Sequence, residues 1–180
     1  TCRYRHFYFF FKLSMLWDVY AITGSPQKTS IIGLLQTIPP IVLGPLIGVY
    51  VDRFPKKVLL ITSDILRAVL LGLIPCLIPV ESFTVSVLYV LVFLHAISTA
   101  VFGPALTAAI PEFVPKTKFT AANALLQGTT SLGIIFGPAL SGLGIAAYGS
   151  QEVLCINAAT YLISAGCLAL VRFTKSPTHP

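Results

Sequence analysis

Charge is what this sequence has least of. Its 180 residues include 12 Lys+Arg and 6 Asp+Glu, only 10% of the chain, against about 25% in soluble domains. At 56% hydrophobic residues, no soluble fold covers its apolar surface with so few charged side chains. The same composition excludes disordered and collagen-like chains. Histidine is nearly as scarce, with His6, His95 and His179 alone, so zinc chemistry has little to work with. The four cysteines, Cys2, Cys76, Cys155 and Cys167, form no CxxC pair. The three inside apolar spans are expected as buried small hydrophobes. No HExxH, no GxSxG and no phosphate-cradling GxxxxGK followed by Ser or Thr occurs. No enzyme activity, metal or cofactor is therefore expected, and an ATP-driven pump would need a nucleotide domain that these residues lack. The formal charge of +6 does not point to nucleic acid, because the bases do not cluster among aromatic residues.

What the sequence has instead is long runs without charge. Ser82 to Pro111 is one of 30 residues and Phe119 to Gln151 another of 33, where about 20 suffice to cross a bilayer as a helix. The chain is expected to be an all-α integral membrane protein in contact with membrane lipid. Charge and turn residues divide it into six helices, near 7–22, 29–51, 57–80, 83–110, 119–148 and 152–172. Gly24-Ser25-Pro26 makes the first turn, Phe54-Pro55 the second, and Pro79 with Glu81-Ser82 the third. Pro111 and Pro115 end the fourth helix, and Gly149-Ser150 separates the last two. The opening TCRYRHFYFFFK has a basic start but no small-residue cleavage site, so it reads as a truncated first helix and the chain as a fragment.

Lys and Arg in short loops set orientation. Arg3, Arg5, Lys12, Arg53, Lys56, Lys57, Lys116, Lys118, Arg172 and Lys175 fall on one side, only Lys28 on the other, and Arg67 within a span. A multi-pass protein of the cell membrane with both termini cytoplasmic is expected. An internal echo accompanies the six helices: Gly44-Pro45-Leu46-Ile47-Gly48 in the second and Gly137-Pro138-Ala139-Leu140-Ser141-Gly142 in the fifth. The spacing of three helices is that of a 3+3 repeat.

The most informative string is Gly48-Val49-Tyr50-Val51-Asp52-Arg53-Phe54-Pro55-Lys56-Lys57. An acid at a helix C-terminus meets the negative end of the helix dipole, so it calls for a cation or a helix N-terminus nearby. The string resembles the signature between the second and third helices of the major facilitator superfamily, roughly G-x-x-x-D-R-x-G-R-K. Gly48, Asp52, Arg53, Lys56 and Lys57 fall on its named positions, and Pro55 stands where the family has its second glycine. Gly133-Ile134-Ile135-Phe136-Gly137-Pro138-Ala139-Leu140-Ser141-Gly142 is similar to the family's antiporter motif, G-x-x-x-G-P-x-x-G-G, with Ser141 for one glycine. Small residues there admit a close neighbour, and Pro138 kinks the helix. The order of Thr23-Gly24-Ser25, Asp64-Ile65-Leu66-Arg67, Phe102-Gly103-Pro104-Ala105 and Ala122-Asn123 resembles the branch with enterobactin and macrolide exporters.

The resemblance covers residues 14–172, the N-terminal half of a twelve-helix transporter. It implies secondary-active export of a small molecule, a drug or siderophore, by proton antiport and alternating access. It also implies a gating latch at Asp52 and Arg53, and a second bundle supplied by a missing C-terminal half. Two rival readings remain, a homodimeric transporter of two half-size chains and a non-transporting membrane scaffold or remnant. Ionisable residues inside spans are candidates for the pathway or for proton coupling, namely Asp18, Asp64 and Arg67. Asp64 and Arg67 share a helix face and also fit a structural ion pair. His95 is read as a packing residue. The 83–110 helix lacks the arginine that many drug–proton antiporters of this family carry there.

Overall fold

The computed structural model describes Leu16, Tyr20, residues 24–77 and residues 85–170. These form five long α-helices and one short 3-10 turn. In chain order they are α1 (Pro26–Arg53), α2 (Lys56–Leu77), α3 (Val85–Phe113), the 3-10 turn (Lys116–Lys118), α4 (Phe119–Tyr148) and α5 (Ser150–Leu170). All five helices are long and apolar enough to cross a membrane. At 21 to 30 residues they measure about 32 to 45 Å, against a hydrocarbon core of about 30 Å. The helix expected near 7–22, and Asp18 with it, lies outside the described residues apart from Leu16 and Tyr20.

The helix ends have local causes. Gly24 takes φ 59° before Ser25, whose Oγ accepts the Lys28 N–H at 3.5 Å, and Pro26 occupies the first helical turn. Phe54 is extended, φ −111° and ψ 153°, because the following Pro55 disfavours helical backbone. Gly149 ends α4 at φ 93° and donates its N–H to the Ile145 carbonyl at 2.9 Å. A side chain there would be strained and would meet Glu152 Oε2. Several boundaries shift by two or three residues from the sequence expectation: α1 begins at Pro26 rather than near 29, α5 at Ser150 rather than near 152, and α3 runs through Pro111 to Phe113. Pro111 is exposed in the last turn, where losing a single N–H costs the helix little.

The helices pack in the order α1, α3, α2, α5, with the most extensive contact between α2 and α5, while α4 meets the others sparingly. Two apolar clusters result. The upper one, toward the start of α1, joins Ile32, Leu71, Ile74, Leu88, Val92, Leu154 and Tyr161. The lower one joins Ile47, Val51, Leu59, Leu60, Phe102, Ala105 and Leu168. Outward faces are also apolar, as at Ile41, Leu46, Ile135, Leu143 and Ile163, each at least 65% exposed. Such faces suit hydrocarbon rather than water. Cys76, Cys155 and Cys167 sit on them, exposed rather than buried as expected, because the helix registers turn these positions outward.

Candidate functional site

Between the two apolar clusters lies a buried polar layer to which four helices contribute. On α1 the buried stripe reads Ile32, Gln36, Pro39, Ile47, Val51, so Gln36 falls between the upper and lower clusters. On α3, His95 and Ser98 fall between Val92 and Phe102, and all four are buried. On α2, Ser63, Asp64 and Arg67 separate Leu60 from Leu71. On α5, Ser164 separates Tyr161 from Leu168.

The charged centre of this layer is an ion pair between Arg67 and Asp64, at 4% and 0% exposure. Their spacing places them one turn apart on one helix face, and their opposite charges balance. Ser164 on α5 donates its hydroxyl to the second Asp64 oxygen. The Arg67 Nε donates to the Ser63 carbonyl at 3.2 Å, and Ser98 on α3 donates to the same carbonyl at 3.0 Å. The guanidinium carbon lies 4.1 Å from the ring centre of Phe102 and 4.6 Å from that of Tyr161, within the roughly 6 Å range of cation–π attraction. The His95 ring meets the Tyr161 ring edge-on at 6.2 Å. Through the Ser98 and Ser164 hydroxyls, this centre on α2 is joined to α3 and α5.

The expected latch lies at the lower end. Gly48 is half-buried near the end of α1, with open space around the position a Cβ would take. Asp52 and Arg53 are exposed in its last turn. The Asp52 carboxylate makes no ion pair or hydrogen bond with a described residue. The two lysines do not answer it. Lys56 Nζ donates to the Asp52 backbone carbonyl at 3.2 Å, and Lys57 Nζ to the Ala169 carbonyl at the end of α5, at 2.9 Å. Each therefore neutralises a helix C-terminus, and Lys57 joins α2 to α5.

In α4 the buried residues are Gly133, Gly137 and Ser141, spaced four apart on one stripe. Ser141, the departure from the family motif, lies on the packed side with the two glycines, whereas Pro138 and Gly142 are exposed. Gly142 instead lines a cavity of about 660 Å³ at the upper end, shared with Leu16, Tyr20, Thr29, Ile145, Ala146, Gly149 and Ser150. Of the sequence candidates, Asp64 and Arg67 come together, while the latch and the α4 stripe are separate features. Gln36, Tyr161 and Ser164 were not singled out, and Phe102 entered only as part of the Phe102-Gly103-Pro104-Ala105 string. Gln36 carried a usable signal, a primary amide inside an apolar run. The others resemble ordinary span residues until helix packing places them around Arg67.

The sequence matches the family described as Major Facilitator Superfamily over residues 7–180. Among curated relatives, Macrolide efflux protein A of Streptococcus pyogenes is 29% identical over 153 residues, covering 85% of this chain and 38% of the relative. The uncharacterized MFS-type transporter YfiS of Bacillus subtilis is 33% identical over 146 residues, 81% of this chain and 34% of the relative. The multidrug efflux pump Tap of Mycolicibacterium fortuitum is 28% identical over 161 residues, 87% of this chain and 39% of the relative. The chain thus spans between a third and two fifths of the length of these relatives. No solved structure matches.

Proposed function

The chain belongs to the Major Facilitator Superfamily, a family of transporters rather than enzymes, and we propose that it forms one bundle of a secondary-active exporter of small molecules. A sixth helix over residues 7–22 completes the bundle as two three-helix repeats. The cargo is a drug- or siderophore-class amphiphile, which the macrolide and multidrug efflux relatives support. A second six-helix bundle, from the remainder of a longer protein or from a second copy, packs against this one. The two rock about a midplane site to give alternating access, with protons moving inward as cargo moves outward. The end bearing Arg53, Lys56, Lys57 and Lys118 faces the cytoplasm, in accord with the charge bias of the loops. Both termini lie on that side.

The observation that carries this reading is the exposed Asp52 carboxylate at the end of α1, with no cation of its own bundle pairing it among the described residues. Lys56 and Lys57 are engaged with backbone carbonyls, which leaves the Asp52 carboxylate open to a cation of the second bundle. Asp52 and Arg53 form the latch, and Gly48 and the α4 stripe of Gly133, Gly137 and Ser141 let helices approach closely. Asp64 and Arg67 are the proton-coupling pair at mid-depth.

The test is Asp52→Asn in the native protein, assayed by efflux from cells alongside membrane quantity. Export is expected to fall at least about tenfold, which corresponds to about 1.4 kcal/mol, with normal insertion. Wild-type export by this variant would remove the latch assignment.

A further inference from the structure

We propose that Phe102 and Tyr161 are positioning residues that hold Arg67 in place when the Asp64 carboxyl is neutral, so that Asp64 can exchange a proton without stranding a buried cation. This rests on the proton-coupled reading above. With Asp64 ionised, the layer carries no net charge from this pair. Uptake of a proton converts the carboxylate to a carboxylic acid and breaks no other bond. Arg67 keeps its own proton, because a guanidinium does not deprotonate in proteins. The pair then carries one positive charge in an apolar interior, a state that is costly unless other groups compensate it.

Such groups surround Arg67 independently of Asp64. Its Nε donates to the Ser63 carbonyl, and its guanidinium carbon lies over two rings at 4.1 and 4.6 Å. The rings come from different helices, Phe102 from α3 in the lower cluster and Tyr161 from α5 in the upper. A desolvated cation gains most from an aromatic face, and Phe102 has nothing but its ring to offer. Ser164 completes the arrangement. Its hydroxyl donates to the ionised carboxylate and, on rotation, accepts from the protonated acid. Each member therefore has a partner in both protonation states. Among the described residues, the titratable or charged groups of this layer are Arg67, paired with Asp64 on its own helix, Tyr161 on α5 against Arg67, and His95 on α3 against Tyr161. Gln36 on α1 is uncharged, and α4 has no charged residue.

A double-mutant cycle tests this, read as the thermal midpoint of the purified native protein in detergent. Asp64→Asn reproduces the neutral carboxyl. Alone, with both rings present, it is expected to lower the midpoint modestly, as are Phe102→Leu and Tyr161→Leu alone. Asp64→Asn combined with either ring removal is expected to lose several degrees more than the sum, or to fail to fold although both singles fold. Tyr161→Phe, which keeps the ring, is expected to add no such excess, and His95→Gln likewise. If Phe102→Leu alone does not fold, Phe102→Met takes its place. Additive losses in both cycles would overturn the proposal, as would failure of Asp64→Asn to fold with both rings intact. A non-additive cycle alongside export indifferent to a proton gradient would remove the proton-coupled reading while keeping the role of the rings. An additive cycle alongside proton-driven export would do the reverse.

Discussion

At Gln36 the bundle buries a primary amide to 2% exposure, and neither its Nε2 nor its Oε1 hydrogen-bonds to a described residue. The prolines that follow at positions 39 and 40 have no N–H to return to the carbonyls of Leu35 and Gln36. A buried polar group without a partner costs about 1–3 kcal/mol, whereas an apolar group of similar shape does not. Gln36→Leu is therefore expected to stabilise the protein by about 1 kcal/mol, seen as a raised thermal midpoint in detergent. A fall of several degrees would mean that the amide is engaged after all. Contrast Asp64 and Arg67, legible in the sequence because an acid and a base three residues apart interrupt an apolar run. Their surroundings were not legible. Phe102, Tyr161 and Ser164 are each one of many similar residues, and only the register of α2 against α3 and α5 selects them.

Among the helices, α4 depends on its small-residue stripe more than on apolar bulk. Its buried residues are Gly133, Gly137 and Ser141, while Leu132, Ile134, Ile135, Phe136 and Leu140 face outward. Close approach of helices in lipid relies on such small residues, since lipid is as apolar as leucine. Gly137→Leu is expected to cost about 1–3 kcal/mol by overpacking and to lower the thermal midpoint. Gly142→Ala, on the exposed side with open space around the added Cβ, is expected to leave the midpoint unchanged. Equal effects from the two would contradict the assigned face. The ends of α4, Phe119 and Tyr148, adjoin the lysines and the Gly149 that the sequence offers as breaks. Pro111, in an exposed last turn, leaves α3 intact where the sequence suggests a break. Which side of α4 packs also escaped the sequence, since glycines lie on both of its sides.

For the whole molecule, the five described helices leave long apolar faces on α1 and α4, at Ile38, Val42 and Leu46 and at Ile135, Leu143 and Tyr148. On the proposed reading, those faces and the exposed Asp52 and Arg53 meet a second bundle. The family was legible because its motif sits in a short loop where few residues satisfy the charge and turn requirements together. The cargo was not, because no short motif in the sequence carries its chemistry. The proposed coupling is that protons drive export. Its most direct measurement is efflux of a macrolide from vesicles holding the native protein under an imposed pH gradient. Transport is expected to follow the gradient, to stop when a protonophore collapses it, and to fall at least about tenfold in Asp52→Asn. Transport that continues undiminished after the gradient is collapsed would contradict the coupling.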